Sequence, residues 1–244
     1  MTEFPLFPGS MRACINCNVS ELCLTSGLSS REVELLNALI VQCIKVRNNN
    51  PLYRIGDPFG SLYGVRVGSF KTSQLTVDGR ERVTGFPIAG DILGLDAICS
   101  NTHSCNAFAL EDSEVCLMPF ARLEALAQKV PQLQRNISKF LSREIIHDQN
   151  MLFVMGNMNS DERIATFFLN LSQKFKARGY SSNEFVLKMQ REEIGSYVGL
   201  RLETVCRSIG NLRNQALLEI SGRNVKIVDM ERLQRFVAGC YRNG

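Results

Sequence analysis

Apolar and polar positions follow two rhythms along this chain, and the change of rhythm divides it. Over residues 44–119 the apolar residues come in short runs cut by turn signals at Gly56-Asp57-Pro58, Asp78-Gly79 and Ala89-Gly90-Asp91. Leu62, Val65, Val67 and Phe70 share one apolar-rich stretch, and Asp78-Gly79 separates 73–77 from 81–86 as a hairpin turn would. Short strands at this spacing predict a β-barrel or jelly-roll. On both sides of that region the rhythm is helical. Ser29-Ser30-Arg31-Glu32 reads as a capping box, so a helix should run to about Val41. Residues 121–130 predict a short helix halted by Pro131. A long helix should then span 132–155, with Ile137, Leu141, Ile145, Leu152 and Met155 on one face. Asp148 fills the missing step of that stripe. In a parallel helix pair about a two-fold axis, it would face its own copy.

Further along, Ser160 is expected to cap a helix whose first turn holds Asp161 and Glu162, where acidic groups suit the helix dipole. Ile164, Phe167, Phe168, Leu171 and Phe175 give that helix a buried face, and Gly179 ends it. After a loop, short helices are predicted at 190–197 and 201–213, with Gly199 in the turn. Segments 217–220 and 225–228 flank Ser221-Gly222-Arg223-Asn224, a hairpin turn. Helix, helix, turn, helix and hairpin make a winged helix-turn-helix. The fold class is therefore α+β: a Cys-rich arm over 1–28, a β-roll sensor domain over 29–130, a dimerisation helix and hinge over 131–159, and the winged helix-turn-helix over 160–244.

At 244 residues the chain can build two compact cores. Charges or Gly interrupt every apolar run before about 18 residues, so no membrane span is expected. The first residues lack the basic-then-apolar layout of a secretory signal, so a cytoplasmic location is expected. The formal charge of +4 is uneven: residues 160–244 carry 14 Lys and Arg against 9 Asp and Glu, while 1–159 carry 14 against 15. A basic C-terminal third suits phosphate contact, although a solvated surface would look the same.

Nine cysteines are present. In a reducing compartment they are not a disulfide framework. Cys14, Cys17 and Cys23 form C-x2-C-x5-C, and three thiolates on one short arm can converge on a single centre. An iron–sulfur cubane needs a fourth ligand from elsewhere, and zinc takes four thiolates as readily, so spacing leaves both open. In the helix-turn-helix, small Gly195 lets the helices approach, and Ile194, Val198, Val205 and Ile209 form the core between them. Glu203, Thr204, Cys206 and Arg207 are left on or near the outer face. Arg can pair bidentately with guanine, and Glu can accept from cytosine. An ordinary packed helix pair with a surface ion pair is the plain alternative.

Taken together, the motifs resemble those of the CRP/FNR superfamily of bacterial regulators and, within it, the FNR (fumarate and nitrate reduction) oxygen sensors. The carriers are the cysteine arm; Gly56-Asp57-Pro58-Phe59-Gly60-Ser61; Thr84-Gly85-Phe86 with Gly90-Asp91; Val115-Cys116-Leu117-Met118-Pro119-Phe120; Arg143-Glu144-Ile145-Ile146-His147-Asp148-Gln149; Glu162-Arg163-Ile164-Ala165; and Glu203-Thr204-Val205-Cys206-Arg207. The resemblance implies a β-roll like a cyclic-nucleotide-binding domain. It also implies a 4Fe–4S cluster on Cys14, Cys17, Cys23 and Cys116, degrading to 2Fe–2S after oxygen exposure. Partners would be a second copy of the chain, a palindromic FNR-type operator in double-stranded DNA, and RNA polymerase. It argues against cyclic AMP, because Leu95 stands where the cAMP-binding relatives have Glu, and Cys105-Asn106 where they have Arg-Ser. Cys206 departs from the family's usual Ser, which leaves one operator position open. Cys43, Cys99, Cys105, Cys206 and Cys240 match no ligand. Zinc or thiol redox in place of the cluster is the alternative within the superfamily. An iron–sulfur oxidoreductase would need a substrate site, and none is visible with only His103 and His147 and no nucleotide-binding glycine motif.

Overall fold

The computed structural model describes residues 14, 17–40, 42–76 and 79–241. Helix α1 (Ser30–Leu39) opens with the predicted capping box: the Ser29 hydroxyl accepts from the Glu32 backbone N–H, and the Glu32 carboxylate accepts from the Ser29 N–H. It stops short of the predicted end because Ile40 is already extended; Val41 lies outside the described residues.

The roll is two facing antiparallel sheets. One is built from β1 (Gln42–Val46), β3 (Ser61–Val67), β6 (Ile92–Leu93) and β8 (Ser113–Pro119), ordered β1-β8-β3-β6. The other is built from β2 (Pro51–Tyr53), β4 (Phe70–Leu75), β5 (Glu81–Gly85) and β7 (Asn106–Ala109), ordered β2-β7-β4-β5. Ile44, Val46, Val65, Phe70 and Val115 fill the space between them. The stretch that reads as one apolar run is cut at Gly68, whose φ of +90° turns the chain into β4 and leaves Val67 exposed. The β4–β5 hairpin forms as expected, although Val77 and Asp78 at its tip lie outside the described residues.

Helix α2 (Phe120–Ala127) leads into the long α3 (Pro131–Asn157), which has proline in its first turn. Leu24 from the arm, Leu36, Leu62, Met118, Leu123, Leu133 and Phe140 make a second buried cluster that clamps arm, roll and α3 together. Helix α4 (Ser160–Lys176) is capped by Asn159, not by Ser160: the Asn159 side chain accepts from the N–H groups of Asp161 and Glu162, and Glu162 reaches back to the Asn159 N–H. Asn and Ser both cap well, and here the residue one position earlier takes the extended backbone that a cap needs.

The C-terminal unit continues with β9 (Glu184–Val186), α5 (Arg191–Val198), α6 (Leu202–Asn214), β10 (Leu218–Ser221), β11 (Asn224–Ile227) and α7 (Met230–Tyr241). Two elements were not anticipated. β9 falls in the predicted loop and pairs with β11 as a third strand beside the hairpin. α7 packs on α4. This unit shares its core with the roll, because Val83 and Phe86 sit in one cluster with Val154, Phe167, Ile194 and Leu212. Polar ties flank that contact. Lys71 Nζ lies 3.0 Å from Glu193, and the Val83 N–H donates to Ser196 Oγ at 2.9 Å. Arg178 donates to Asp91 at 2.6 Å and to the Ala89 carbonyl.

Candidate metal centre and nucleic-acid interface

From Cys17 onward the arm shows no periodicity because it is wound as successive turns. The Cys17 N–H donates to the Cys14 carbonyl, Ser20 to Cys17, and Cys23 to Val19, at 3.0–3.1 Å. At Cys14 the arm is tied to α1, that residue's N–H donating to Asn37 Oδ1 at 2.8 Å. Its end is tied to α3 by Asn136, whose amide donates to the carbonyls of Leu24 and Ser26, both at 2.8 Å. This winding turns the three arm cysteines toward the roll, where one small pocket is lined by Cys14, Cys17, Cys23 and Cys116.

Cys116 sits on β8 between Gly64 of β3 and Cys43 of β1. A side chain at Gly64 would stand 3.7 Å from Cys23 Sγ and 3.5 Å from Met118 Cε, so the glycine leaves the pocket its room. Burial pushes the Cys14 thiol up to about 11 and the Cys23 thiol up to about 12. Thiolates here need a cation's help, which is what a metal centre supplies. Among the described residues, no three His, Cys, Asp or Glu side chains stand close enough to grip a single ion. The donor set fits a cluster in kind, four sulfurs around one recess.

Two side chains beside this pocket escaped the sequence reading. Cys43 Sγ lies 3.8 Å from Cys116 Sγ. Arg66 Nη1 lies 3.8 Å from Cys43 Sγ and 2.9 Å from Glu114. The hydrogen bond shared with Cys116, and then Arg66, brings Cys43 down to about 7 against the opposing effect of burial, while the same bond and burial raise Cys116. Only strand register could have found them: that of β1 on β8 for Cys43, and that of β3 on β8 for Arg66.

Of the remaining cysteines, Cys99 is exposed, Cys105 is buried and Cys206 is half-buried; the side chain of Cys240 lies outside the described residues. At the positions compared with a nucleotide pocket, Leu95 begins a short turn after Gly94, and Asn106 is buried with its Oδ1 accepting from the Ile55 N–H at 2.9 Å.

The predicted core between α5 and α6 is present, with Ile194, Val198, Val205 and Ile209 all buried. A Cβ on Gly195 would lie 2.6 Å from the Leu200 carbonyl oxygen, and Gly199 makes the turn at φ +70°. Glu203 and Arg207 are exposed on α6, with Thr204 and Cys206 half-buried beside them. Arg191 at the start of α5 points Nη1 at Cys206 Sγ, 3.6 Å away, a neighbour not foreseen. On α3, Leu141, Ile145 and Leu152 are 38%, 59% and 67% exposed, as is Ile146 at 53%, and Asp148 lies exposed on the same stretch. Ile137 instead packs against the cluster under the arm. Among the described residues no helix is long and apolar enough to cross a membrane.

Residues 43–130 match the family described as the cyclic nucleotide-binding domain, and residues 162–236 match the Crp-like helix-turn-helix domain. The chain is 40% identical over 233 residues to the transcriptional regulatory protein btr of Bordetella pertussis, covering 96% of each chain. It is 38% identical over 226 residues to the transcriptional activator protein anr of Pseudomonas aeruginosa, covering 93% of each. It is also 38% identical over 230 residues to the fumarate and nitrate reduction regulatory protein of Escherichia coli, covering 94% of this chain and 92% of that one. The solved structure of FixK2 from Bradyrhizobium japonicum superposes with a TM-score of 0.73 at 28% identity, over 80% of this chain and 96% of that one. These relatives are regulators and not enzymes, their likeness spans both the roll and the helix-turn-helix, and the chain belongs to the CRP/FNR family of DNA-binding transcription regulators, among its FNR- and Anr-type members.

Proposed function

We propose that this chain is an oxygen-responsive regulator of anaerobic transcription. It would hold a 4Fe–4S cluster on Cys14, Cys17, Cys23 and Cys116 and read a palindromic operator as a homodimer. One observation carries the reading: three arm cysteines and one from a distant strand line the same pocket. When bound, such a cluster supplies an oxygen-labile tie among four thiolates.

The chain's own residues connect that tie to α3. The segment after Cys23 is held by the two Asn136 hydrogen bonds, and Leu24 is buried in one cluster with Leu133 and Phe140. The second half of α3 carries the exposed Leu141, Ile145, Ile146 and Leu152, an apolar stripe suited to a second copy of the helix. Asp148 on that stripe opposes pairing until the arm is set. On α6, Glu203, Thr204, Cys206 and Arg207 meet the base edges in each half-site. The relatives named for anaerobic and for fumarate and nitrate regulation support the same reading. The roll would not take cyclic AMP, since Leu95 and Cys105-Asn106 replace the groups that would hold the ribose and phosphate.

The test is purification without air, with iron and sulfide assay, visible spectra and operator binding before and after air. About four irons per chain are expected, with brown colour and DNA affinity both lost on exposure. Alanine at any one of the four cysteines should remove the iron, whereas Cys99→Ala should not. A colourless protein with stoichiometric zinc would favour the zinc reading.

A further inference from the structure

Strands β1 and β8 run antiparallel with Cys43 directly opposite Cys116. Residues so opposed project to the same face, and their Cα atoms stand about 4.5–5.5 Å apart. That separation falls inside the roughly 4.4–6.8 Å that a disulfide spans. The two Sγ atoms are already 3.8 Å apart, so closing the bond asks each sulfur for a shift of about 0.9 Å by side-chain rotation. Gly64, opposite Cys116 on the other flank, puts no side chain in the way. Both residues are half-buried and not sealed in the core, and Cys116 lines the pocket.

We propose that Cys43 and Cys116 are a peroxide-reactive dithiol whose closure to a disulfide withholds Cys116 from the metal centre. The first half stands on the β1–β8 geometry alone; the second rests on the four-cysteine reading. The oxidant is hydrogen peroxide. Cys43 sulfur attacks one peroxide oxygen, an S–O bond forms as the O–O bond breaks, and the first water leaves with the thiol proton. Cys116 sulfur then attacks Cys43 Sγ, the S–S bond forms, the S–O bond breaks, and hydroxide leaves with the Cys116 proton as the second water. Two thiols lose two electrons and two protons, and one peroxide becomes two waters. The regulator thereby gains an input separate from molecular oxygen: once closed, the chain cannot rebuild its centre until a thiol reductant reopens the bond.

The experiment uses the full chain purified in air, reduced, freed of reductant and treated with one equivalent of peroxide. Free thiols are alkylated and the linked peptides mapped by mass spectrometry. A Cys43–Cys116 pair is expected as the main product, and in Cys43→Ser and Cys43→Ala the Cys116 thiol should remain open to alkylation. Iron and sulfide are then added without air. Oxidised wild type should take up about tenfold less iron than the reduced protein, prior reduction should restore it, and both Cys43 variants should escape the peroxide effect. The proposal is overturned if the pair does not form, or if the variants are as peroxide-sensitive as wild type. Iron uptake by the reduced chain without a linked pair would remove the dithiol and leave the cluster reading standing. A linked pair in a chain that takes up no iron even when reduced would remove the withholding step and the cluster reading, and keep only the modification site.

Discussion

At the scale of single residues, the proposed reading face of α6 depends on which side chains are free. Arg207 is exposed and extends from a helix pinned by Val205, Ile209 and Leu212. Losing it should cost about 1–3 kcal/mol per half-site and relax preference at one base pair, measured by binding of Arg207→Ala to a randomised palindrome. An equal loss on every sequence would make it a phosphate contact. Cys206 is the subtler position. Its sulfur has Arg191 at 3.6 Å, a weak contact for a soft acceptor. A hydroxyl accepts more strongly, so Cys206→Ser should hold Arg191 closer and shift preference by one base pair at most while keeping affinity. The identities of these side chains were legible from the motif. The neighbour Arg191 was not, because the crossing of α5 on α6 sets it and spacing does not.

At the scale of elements, α3 carries two testable features. Asp148 would face its own copy across a two-fold axis. Two carboxylates about 6 Å apart at an effective dielectric of about 20 repel by roughly 3 kcal/mol before salt screening lowers it. Asp148→Ala should therefore dimerise in air without iron, and a variant that sediments as a monomer would end the idea. Nearby, His147 Nε2 and Tyr197 Oη are hydrogen-bonded at 3.0 Å, joining α3 to α5. Burial, then Lys174, lowers its pKa from the ordinary 6.5, with Asp148 and Asp91 opposing the shift. The folded state thus favours neutral imidazole. Its contribution to stability is full above pH 6.5 and is lost as pH falls through 6.5 toward the lower folded value. Urea unfolding at pH 7.5 and 5.5 should show an acid loss in wild type that His147→Gln lacks. Elements set by local chemistry were legible: the Ser29–Glu32 box starts α1, and Gly199 and Gly222 turn where expected. β9 was not, because three residues become a strand only when β11 offers a partner. α7 has helical spacing at Leu233, Phe236 and Val237 and a backbone N–H capped by Asp229, signals that go unread without the α4 surface they cover. Cys43 and Cys116 meet 73 residues apart through register alone.

At the scale of the whole molecule, the reading unit is docked on the roll and not tethered loosely to it. Arg178 is almost fully buried and bonded to both Asp91 and the Ala89 carbonyl. Arg178→Ala leaves Asp91 with Lys174 as its ion-pair partner and the Ile88 N–H as its backbone donor, and should cost roughly 2–4 kcal/mol of docking. The measurement is limited proteolysis, with faster cutting near residues 157–160 expected. Docking also makes α3 a rigid lever. From the arm's anchor at Asn136 to Asn157 it is about 32 Å long. A tilt of about 6° at the anchor swings the far end by roughly 3.3 Å, close to the ~3.4 Å rise between successive base pairs. In the proposed dimer a tilt of that size would put two reading heads about one base pair out of register, and recognition would fail with every element still folded.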